Sequence, residues 1–233
     1  MTTVPRPRGV QWVRGSLLSG LSEPTIEGLL SVARRHLAEP DERILGEGEP
    51  GDHVEVILRG YCKVSLTTPE GYHALLAIRG AGDLVGEMAG LRGQGRSATV
   101  TASGAVELAA VPHETFQVFL RGHADAAEQV SRMVGDRLVW ANRRRIDGGA
   151  YPAEVRLSRL LCDLIEVCGQ AVVAGVRLDV PLSQDELAGL IGAAVPTVHK
   201  ALSLLRQQGI VQTGYRRIVV TDVDALARWG GAG

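Results

Sequence analysis

The sequence has few aromatic residues, few cysteines and no long hydrophobic run. Aromatic residues make up 4% of the 233 residues, and the cysteines are Cys62, Cys162 and Cys168. Three scattered cysteines exclude a disulfide framework and a four-cysteine metal site, so we expect reduced and mostly buried thiols. No apolar run reaches the roughly 18 residues of a membrane span, and the N-terminus lacks the apolar core of a signal peptide. These absences predict a cytoplasmic protein that binds neither a metal nor a membrane.

The sequence also lacks an excess of charge of one sign. Lys and Arg total 25 and Asp and Glu total 26, which gives a formal net charge of -1. Hydrophobic residues make up 45% of the chain and charged residues 22%, which argues against disorder and allows a proper core. Glycine is abundant, at 29 residues, and predicts many tight turns. The length accommodates one large domain or two modest ones.

The N-terminal half changes from helical to β-type patterning. Residues 1–11 are typical of a loose tail, and residues 12–39 have the apolar spacing of a helix. From residue 43 to residue 111, short β-type runs separated by glycine turns predict a small antiparallel barrel or sandwich. The runs are Val54–Leu58, Lys63–Leu66, Ala74–Ile78, Thr99–Thr101 and Val106–Val111.

A long helical stretch follows, at residues 113–146. An apolar stripe with spacings of four, four and three predicts a helix that pairs with a copy of itself, and the stripe consists of Val130, Val134, Leu138 and Ala141. The alternative is that the stripe packs on the protein's own barrel. Asp147, Gly148 and Gly149 are expected to end the helix and to supply a hinge at a domain boundary, because glycine resists helix.

The C-terminal part has the signals of a winged helix-turn-helix. After a helix at residues 152–169 and a short hairpin, Ser183 and Glu186 form a capping box that starts a helix ending at Gly192. Pro196 opens a second helix to about Gln208, and a β-type segment follows it. Two short helices joined by a glycine turn and followed by a wing are typical of DNA-binding proteins.

The outward face of the second helix is the predicted DNA-binding surface, with Lys200 as the first candidate for a base or phosphate contact. Further candidates are Gln184, Thr197, His199 and Ser203 around the two helices, and Arg216 and Arg217 at the wing tip. The alternative is that these polar groups form a merely solvated surface. Residues 150–233 carry 8 basic and 8 acidic residues, so binding must rely on a local patch.

One segment of the N-terminal half has the features of an anion site. A helical turn that begins near Gly86 would direct free backbone N–H groups at a phosphate, and Arg96 and Ser97 would add a bidentate cation and a hydroxyl. Glu87 is suited to accept a hydrogen bond from a ribose hydroxyl. The alternative is an Arg96–Glu87 salt bridge that closes a loop without a ligand.

In this order and spacing, these segments resemble the cyclic-AMP receptor protein and fumarate-nitrate regulator (CRP/FNR) family of bacterial transcription factors, over about residues 15–225. The resemblance rests on the Gly48–Asp52 motif with Gly60, the segment from Gly86 to Ala98, the long helix and the helix-turn-helix. It implies that Arg96 and Ser97 hold the phosphate of a cyclic mononucleotide and that Glu87 holds its ribose 2′-hydroxyl. It also implies that Gly86, Met88 and Ala98 shape the pocket, with Arg137 as a cation near Glu87 and the purine.

The sequence departs from the family pattern in two places and lacks the cysteine ligands of one branch of the family. The Thr and Ser that meet adenine in cyclic-AMP binders correspond here to Ala141 and Asn142, so the identity of the base stays open. The usual base-reading Arg and Glu correspond to Val195 and Pro196, which cannot make a bidentate contact with guanine, so we expect a different operator. The four-cysteine iron–sulfur ligation of the oxygen-sensing branch is absent.

Together these observations predict an α+β fold with three parts. Residues 1–123 form a jelly-roll-like, cyclic-nucleotide-binding antiparallel β-barrel, residues 124–149 a dimerisation helix and hinge, and residues 150–233 a winged helix-turn-helix domain. The expected function is that of a homodimeric transcription regulator gated by a cyclic nucleotide, cAMP or cGMP. The expected partners are near-palindromic double-stranded DNA, a second copy of the chain and RNA polymerase.

Three alternatives remain open. A regulator of the same fold could act without a ligand or respond to cyclic di-GMP, which Ala141 and Asn142 make credible. A nucleotide-sensing adaptor that acts on protein partners would fit the neutral C-terminal domain. An enzyme would need a nucleophile–base pair, a metal cluster or a Walker loop, and we identify none, so we expect no catalytic residues.

Overall fold

A computed structural model describes residues 11–231, apart from the side chains of Leu91 and Arg92. All but the last residue of the predicted N-terminal tail therefore lies outside the described residues. The chain forms two compact units, of which the first comprises residues up to 66 together with residues 78–138, and the second comprises residues 67–77 and the chain from Val139 onward. The three functional domains expected from the sequence stay a prediction.

The N-terminal half of the chain contains an antiparallel sheet of six strands. They are β1 (Arg34–Ala38), β2 (Arg43–Leu45), β3 (His53–Thr67), β4 (His73–Arg79), β5 (Leu84–Val85) and β6 (Thr99–Pro112). The central order of the sheet is β1-β6-β3-β4, with β2 paired to β6 and β5 paired to β3. Glycine at position 60, with φ +86°, lies at an irregularity of the long strand β3, where the register shifts between Ile57 and Tyr61.

The predicted helix at residues 12–39 is wrong over most of its length, because only residues 23–31 form an α-helix. The segment holds a 3-10 turn at Leu18–Gly20 and a helix, α1 (Glu23–Ser31), but residues 34–38 form strand β1. Strand β1 pairs with the end of β6, where Arg34 lies opposite Ala110 and Ala38 opposite Val106. This pairing is remote in sequence, and it overrides the local apolar spacing.

Two hydrophobic cores lie on the two faces of the sheet. Because alternate residues of a strand point to opposite faces, Val54, Val56 and Leu58 join one core while Ile57 joins the other. The first core also receives Leu29 of α1 and Val130 of the long helix. Three more helices complete this half of the chain: α2 (Glu87–Arg92), α3 (His113–Gly122) and α4 (Ala124–Ala150).

The predicted helix end at Asp147–Gly149 is also wrong, because α4 continues through both glycines to Ala150. Its last turn is held by a hydrogen bond from Tyr151 N–H to the carbonyl of Asp147, at 3.1 Å. The buried Asp147 carboxylate accepts from Arg159 Nη1 at 2.7 Å, which fixes this turn further. The break comes at Pro152, which has no N–H and restricts the residue before it.

The second unit contains the predicted winged helix-turn-helix. Helix α5 (Ala153–Cys168) leads to a hairpin of β7 (Gly169–Val172) and β8 (Gly175–Leu178). The unit also contains α6 (Gln184–Ile191), α7 (Val195–Gln207), β9 (Val211–Gly214), β10 (Arg217–Val220) and α8 (Val223–Trp229). The strands form a four-stranded sheet with the order β7-β8-β10-β9.

The N-terminal part of the apolar stripe on α4 is buried, and its C-terminal part is exposed. Val130 is buried and Val134 is half-buried, and both pack on the core of the first unit, as the alternative interpretation of the stripe requires. Leu138 is 61% exposed, and Ala141 is also exposed. Pairing of this helix with a second copy stays a prediction.

The cysteines are free, as expected, and two of them are fully buried. Burial raises the pKa of the Cys62 and Cys168 thiols to about 12 each. Cys162 is half-buried on α5, and burial raises its pKa as well.

The predicted fold class is confirmed: an N-terminal antiparallel sheet, a long helix and a C-terminal winged helix-turn-helix. Among the described residues, no single helix has the length and apolar character needed to cross a membrane. Helices α6 and α7 pass that test only when they are taken together across the 99° bend between them.

Candidate functional site

Arg96 is the buried cation of the predicted anion site. Its residue surface is 5% exposed, and its Nη1 donates to the carbonyl of Gly86 at 2.9 Å. Gly86 has φ +87°, and a Cβ there would lie 2.5 Å from Arg96 Nη1, so the close approach requires glycine. Burial lowers the pKa of the Arg96 guanidinium, and the carboxylates of Asp52 and Glu55 oppose this shift.

The Gly48–Asp52 motif fixes the backbone around Arg96. The Arg96 N–H donates to the carbonyl of Glu49 at 2.8 Å, and the Gly48 N–H donates to the carbonyl of Arg96 at 2.9 Å. Gly95 also packs closely, since a Cβ there would lie 2.8 Å from the Gly48 carbonyl oxygen. The motif quoted for the family resemblance therefore holds the loop that carries the arginine.

A network of histidines and carboxylates lies beside Arg96, and the sequence alone did not indicate it. His53 Nδ1 lies 2.6 Å from Asp52 Oδ1 and 3.4 Å from Arg96 Nη2. Glu55 Oε1 lies 3.3 Å from His53 Nε2 and 3.0 Å from His36 Nε2. The 2.6 Å contact between His53 and Asp52 requires His53 Nδ1 to donate a hydrogen bond to the carboxylate. His53 Nδ1 therefore cannot also accept from Arg96, and the N–H groups of Arg96 Nη2 are available to another acceptor.

Glu55 is the buried centre of this network. The residue is 2% exposed, and desolvation by burial raises the pKa of its carboxyl, although His36 and His53 oppose the shift. Asp52 is different, because its side chain is 80% exposed and its hydrogen bond with His53 lowers its pKa. An exposed carboxylate 3.7 Å from Arg96 Nη2 can leave the guanidinium when a stronger anion arrives.

Glu87 pairs with Arg137. Arg137 Nη1 donates to Glu87 Oε1 at 2.8 Å, and its Nη2 donates to Asp83 Oδ1 at 3.2 Å and to the carbonyl of Leu84 at 2.8 Å. Glu87 is 4% exposed. The structure thus brings the carboxylate and the long-helix cation together within the first unit.

The other predicted ligand-binding residues differ in exposure. Met88 and Ala98 are half-buried, and Ser97 is exposed. Ala141 and Asn142 are exposed on the part of α4 that belongs to the second unit. The roles of all five in ligand binding stay predictions.

The helix-turn-helix has the predicted local signals. Ser183 Oγ accepts from the Glu186 N–H at 3.1 Å, and Glu186 Oε2 accepts from the Ser183 N–H at 2.7 Å. Gly192 ends α6 in the left-handed conformation, with φ +60°. Ala194 is the N-cap of α7, so Pro196 is the second residue of this helix.

Most of the predicted DNA-binding side chains lie in solvent. Ser203 and Val195 are half-buried, and Val198, Ala201, Leu202 and Leu205 form the buried side of α7. At the wing, Arg216 has φ +50°, and its Nη2 lies 3.7 Å from Glu186 Oε2. The exposed members of the predicted set are Gln184, Thr197, His199, Lys200, Arg216 and Arg217.

Two family models match these two parts of the chain. The model of the cyclic nucleotide-binding domain matches residues 35–123, and the model of the Crp-like helix-turn-helix domain matches residues 155–229. The chain belongs to the CRP/FNR family. It is a CRP-like transcriptional regulator with a cyclic nucleotide-binding domain and a helix-turn-helix domain.

Relatives of this CRP/FNR regulator cover nearly its whole length. The CRP-like cAMP-activated global transcriptional regulator of Mycobacterium tuberculosis is 27% identical over 215 residues, which cover 92% of this chain and 96% of the relative. The cAMP-activated global transcriptional regulator CRP of Salmonella typhimurium is 24% identical and covers 85% of this chain, with 95% of its own length matched.

Solved structures share the fold of this CRP/FNR regulator. FixK2 from Bradyrhizobium japonicum superposes with a TM-score of 0.74 at 23% identity, over 87% of this chain and 99% of that one. The c-di-GMP responsive global regulator CLP of Xanthomonas campestris superposes with a TM-score of 0.70 at 21% identity, over 86% of this chain and all of that one.

Proposed function

We propose that this regulator is a homodimeric DNA-binding transcription factor gated by a cyclic nucleotide, cAMP or cGMP, bound in its N-terminal unit. The observation that carries the proposal is the buried Arg96, held by the Gly86 carbonyl with one guanidinium nitrogen still able to donate. The cAMP-activated relatives support the ligand class.

In this proposal, Arg96 and Ser97 bind the cyclic phosphate, and Gly86, Met88 and Ala98 shape the pocket around it. The phosphate displaces the exposed Asp52 carboxylate from Arg96 and accepts a charge-assisted hydrogen bond in its place. Glu87 accepts from the ribose 2′-hydroxyl while Arg137 neutralises its charge. Ala141 and Asn142 are the proposed contacts of the nucleotide base.

DNA binding is proposed to use the exposed face of α7 and the wing. Lys200, His199, Thr197 and Ser203 face the major groove together with Val195, and Gln184, Arg216 and Arg217 contact the flanking backbone or bases. We propose that the dimer has two arrangements and that the ligand binds one of them more tightly. Ligand binding then favours that arrangement, and the affinity for DNA changes because the two arrangements bind DNA differently. RNA polymerase is the proposed protein partner, the cytoplasm is the proposed location, and the chain is proposed to have no catalytic activity.

Fluorescence anisotropy tests the gating. A near-palindromic DNA with half-sites about 34 Å apart is titrated with the protein, with and without saturating cAMP or cGMP. We expect tighter binding with one nucleotide, and equal affinity in all conditions would reject a gated regulator.

The matched variants separate the two sites. Arg96→Ala is expected to abolish nucleotide binding in a calorimetric titration, whereas Arg121→Ala, at an exposed position of α3, is expected to leave it unchanged. Lys200→Ala is expected to weaken DNA binding without changing nucleotide binding. Loss of nucleotide binding in both arginine variants would contradict the assignment of Arg96.

A second candidate is a regulator of the same fold that responds to cyclic di-GMP or to no ligand. Ala141 and Asn142 at the positions of the adenine contacts favour it, and the fold is shared with CLP, a c-di-GMP responsive regulator. Including cyclic di-GMP in the calorimetric panel decides between the ligands. The adaptor alternative predicts no retention on heparin, whereas a DNA-binding regulator is expected to bind heparin and to elute in moderate salt.

A further inference from the structure

Four arginine side chains surround a small cavity in the second unit. Arg143 and Arg144 come from α4, and Arg156 and Arg159 come from α5. The cavity has a volume of about 20 Å³, and Asp147, Leu160, Asp163 and Ile191 complete its lining. Four cations against two carboxylates leave the lining with an excess of two positive charges.

Each of the two carboxylates forms an ion pair with one of the arginines. Arg143 Nη2 forms an ion pair with Asp163 Oδ2, which also accepts from Trp140 Nε1 at 2.8 Å. Arg159 Nη1 pairs with Asp147 Oδ1 at 2.7 Å, and its Nε donates to the carbonyl of Gly230 at 2.6 Å.

Arg144 and Arg156 each have a buried N–H group without a hydrogen-bond acceptor in the described part of the chain. Arg144 stacks on Trp140, with its Cζ 4.4 Å from the ring centroid, and Arg156 Nη1 donates to the carbonyls of Ile191 and Gly192 at 2.8 and 3.2 Å. Arg144 Nη1 and Arg156 Nε are buried and have no acceptor in the described part of the chain. Buried N–H groups of a charged side chain are costly to leave without an acceptor.

We propose that this cavity is a binding site for one compact tetrahedral oxyanion, inorganic phosphate or sulfate. The excess of positive charge selects an anion, and guanidinium groups match the oxygens of phosphate and sulfate. The volume exceeds the roughly 10–15 Å³ needed for one water-sized group, and it is far below the roughly 300 Å³ of a pocket for a whole small molecule. The volume therefore fits a compact anion better than a nucleotide.

An anion in this cavity would connect the last turns of α4 to α5. Both helices contribute two arginines, and the chain between them bends at Tyr151 and Pro152. The site is independent of the nucleotide site proposed above, since all of its residues lie in the second unit.

The test measures phosphate binding by the full-length protein without DNA or nucleotide. ³¹P NMR line broadening of inorganic phosphate gives the affinity, and the thermal unfolding midpoint is followed as phosphate or sulfate replaces chloride at constant ionic strength. We expect a saturable rise of the midpoint in the wild type. Arg144→Gln and Arg156→Gln are each expected to lower the phosphate affinity at least tenfold.

Arg145→Gln is the matched control, because Arg145 is the exposed neighbour of Arg144 on the same helix and its loss removes the same charge. It is expected to bind phosphate as the wild type does. No broadening in the wild type, or an equal loss in all three variants, overturns the proposal. If Arg144→Gln does not fold, Arg144→Lys keeps the charge without the planar guanidinium and is expected to show the same loss.

The DNA backbone carries the same phosphate chemistry, and a DNA titration distinguishes the two sources. If Arg144→Gln and Arg156→Gln weaken DNA binding while free phosphate fails to bind the wild type, the arginines serve the DNA backbone, and the free-anion site is rejected.

Discussion

Glu87 and Arg137 form an ion pair of 2.8 Å that joins the first turn of α2 to the long helix α4, fifty residues further along the chain. The carboxylate is almost completely buried, and the arginine also donates to Asp83 and to the carbonyl of Leu84. The loop next to Arg96 therefore depends on a side chain from the long helix.

Removal of this arginine is expected to destabilise the first unit. Arg137→Met leaves Glu87 as an unpaired buried carboxylate, and breaking such a pair costs about 3 kcal/mol of unfolding free energy. Chemical denaturation measures the loss. Arg132→Met is the control on the same helix. Both side chains of the Arg132–Glu128 ion pair are exposed, so the pair contributes less than about 0.5 kcal/mol to the unfolding free energy. Equal losses in the two variants would contradict a structural role of the Glu87–Arg137 pair.

Glu55 is expected to make stability depend on pH. Its pKa is raised in the folded protein by burial, so the folded state holds the carboxyl proton more tightly than the unfolded state does. This contribution is complete below the ordinary pKa of 4.5 and is lost as the pH rises through the raised folded value. Glu55→Gln should therefore reduce the fall in denaturation midpoint as the pH rises above 4.5.

The matched control for this pH series is Glu27→Gln, at an exposed position of α1. It is expected to keep the wild-type dependence of the midpoint on pH. A wild-type profile in Glu55→Gln would show that His36, His53 or another group causes the dependence.

The helical glycines near the end of α4 are expected to tolerate alanine. A Cβ at Gly148 would make only an ordinary contact of 3.8 Å with Arg156 Nη1, and a Cβ at Gly149 would meet nothing within 4 Å. Gly148→Ala and Gly149→Ala should each raise the unfolding free energy by about 0.5–1 kcal/mol, because alanine loses less conformational entropy in a helix. Thermal unfolding measures the gain.

Gly192→Ala provides the contrast, since its φ of +60° strains any residue with a Cβ. It is expected to destabilise the protein by about 1 kcal/mol. Destabilisation by alanine at 148 or 149 would show that these two residues leave the helix in solution, as expected from the glycine pair alone.

The capping box of α6 is expected to support the helix-turn-helix. Ser183→Ala removes the acceptor for the Glu186 N–H and should cost about 1 kcal/mol of unfolding free energy. Ser131→Ala, an exposed serine on α4 whose hydroxyl donates to the Ala127 carbonyl, should change it by less than about 0.5 kcal/mol. Comparable losses would mean that the cap adds nothing beyond an ordinary surface hydroxyl.

The parts of the fold with local signals were predictable. Ser183, Gly192, Pro196 and Gly209 mark the ends of two helices by capping, positive φ or fixed φ, and the structure has those helices within one or two residues. The helical turn expected near Gly86 is also present, because α2 begins at Glu87, whereas the role of Arg96 in binding an anion stays a prediction.

The parts that depend on remote pairing were not predictable. Strand β1 pairs with β6 more than 65 positions away, and its own residues, Arg34 to Ala38, have no apolar alternation that would mark a strand. Gly148 and Gly149 stay helical because Asp147 is held by Arg159 from the next helix. His53 and Glu55 lie about forty positions before Arg96, and a strand pattern gives no sign that a histidine in it will contact a distant arginine.

The unequal burial of the three thiols gives the protein a ready attachment point for a spectroscopic probe. Cys62 and Cys168 are buried with pKa values of about 12, so they carry almost no thiolate near neutral pH, whereas Cys162 is partly open to solvent. A maleimide dye is therefore expected to label α5 at one position without any mutagenesis, and its fluorescence would report directly on the environment of the helix that leads into the DNA-binding elements.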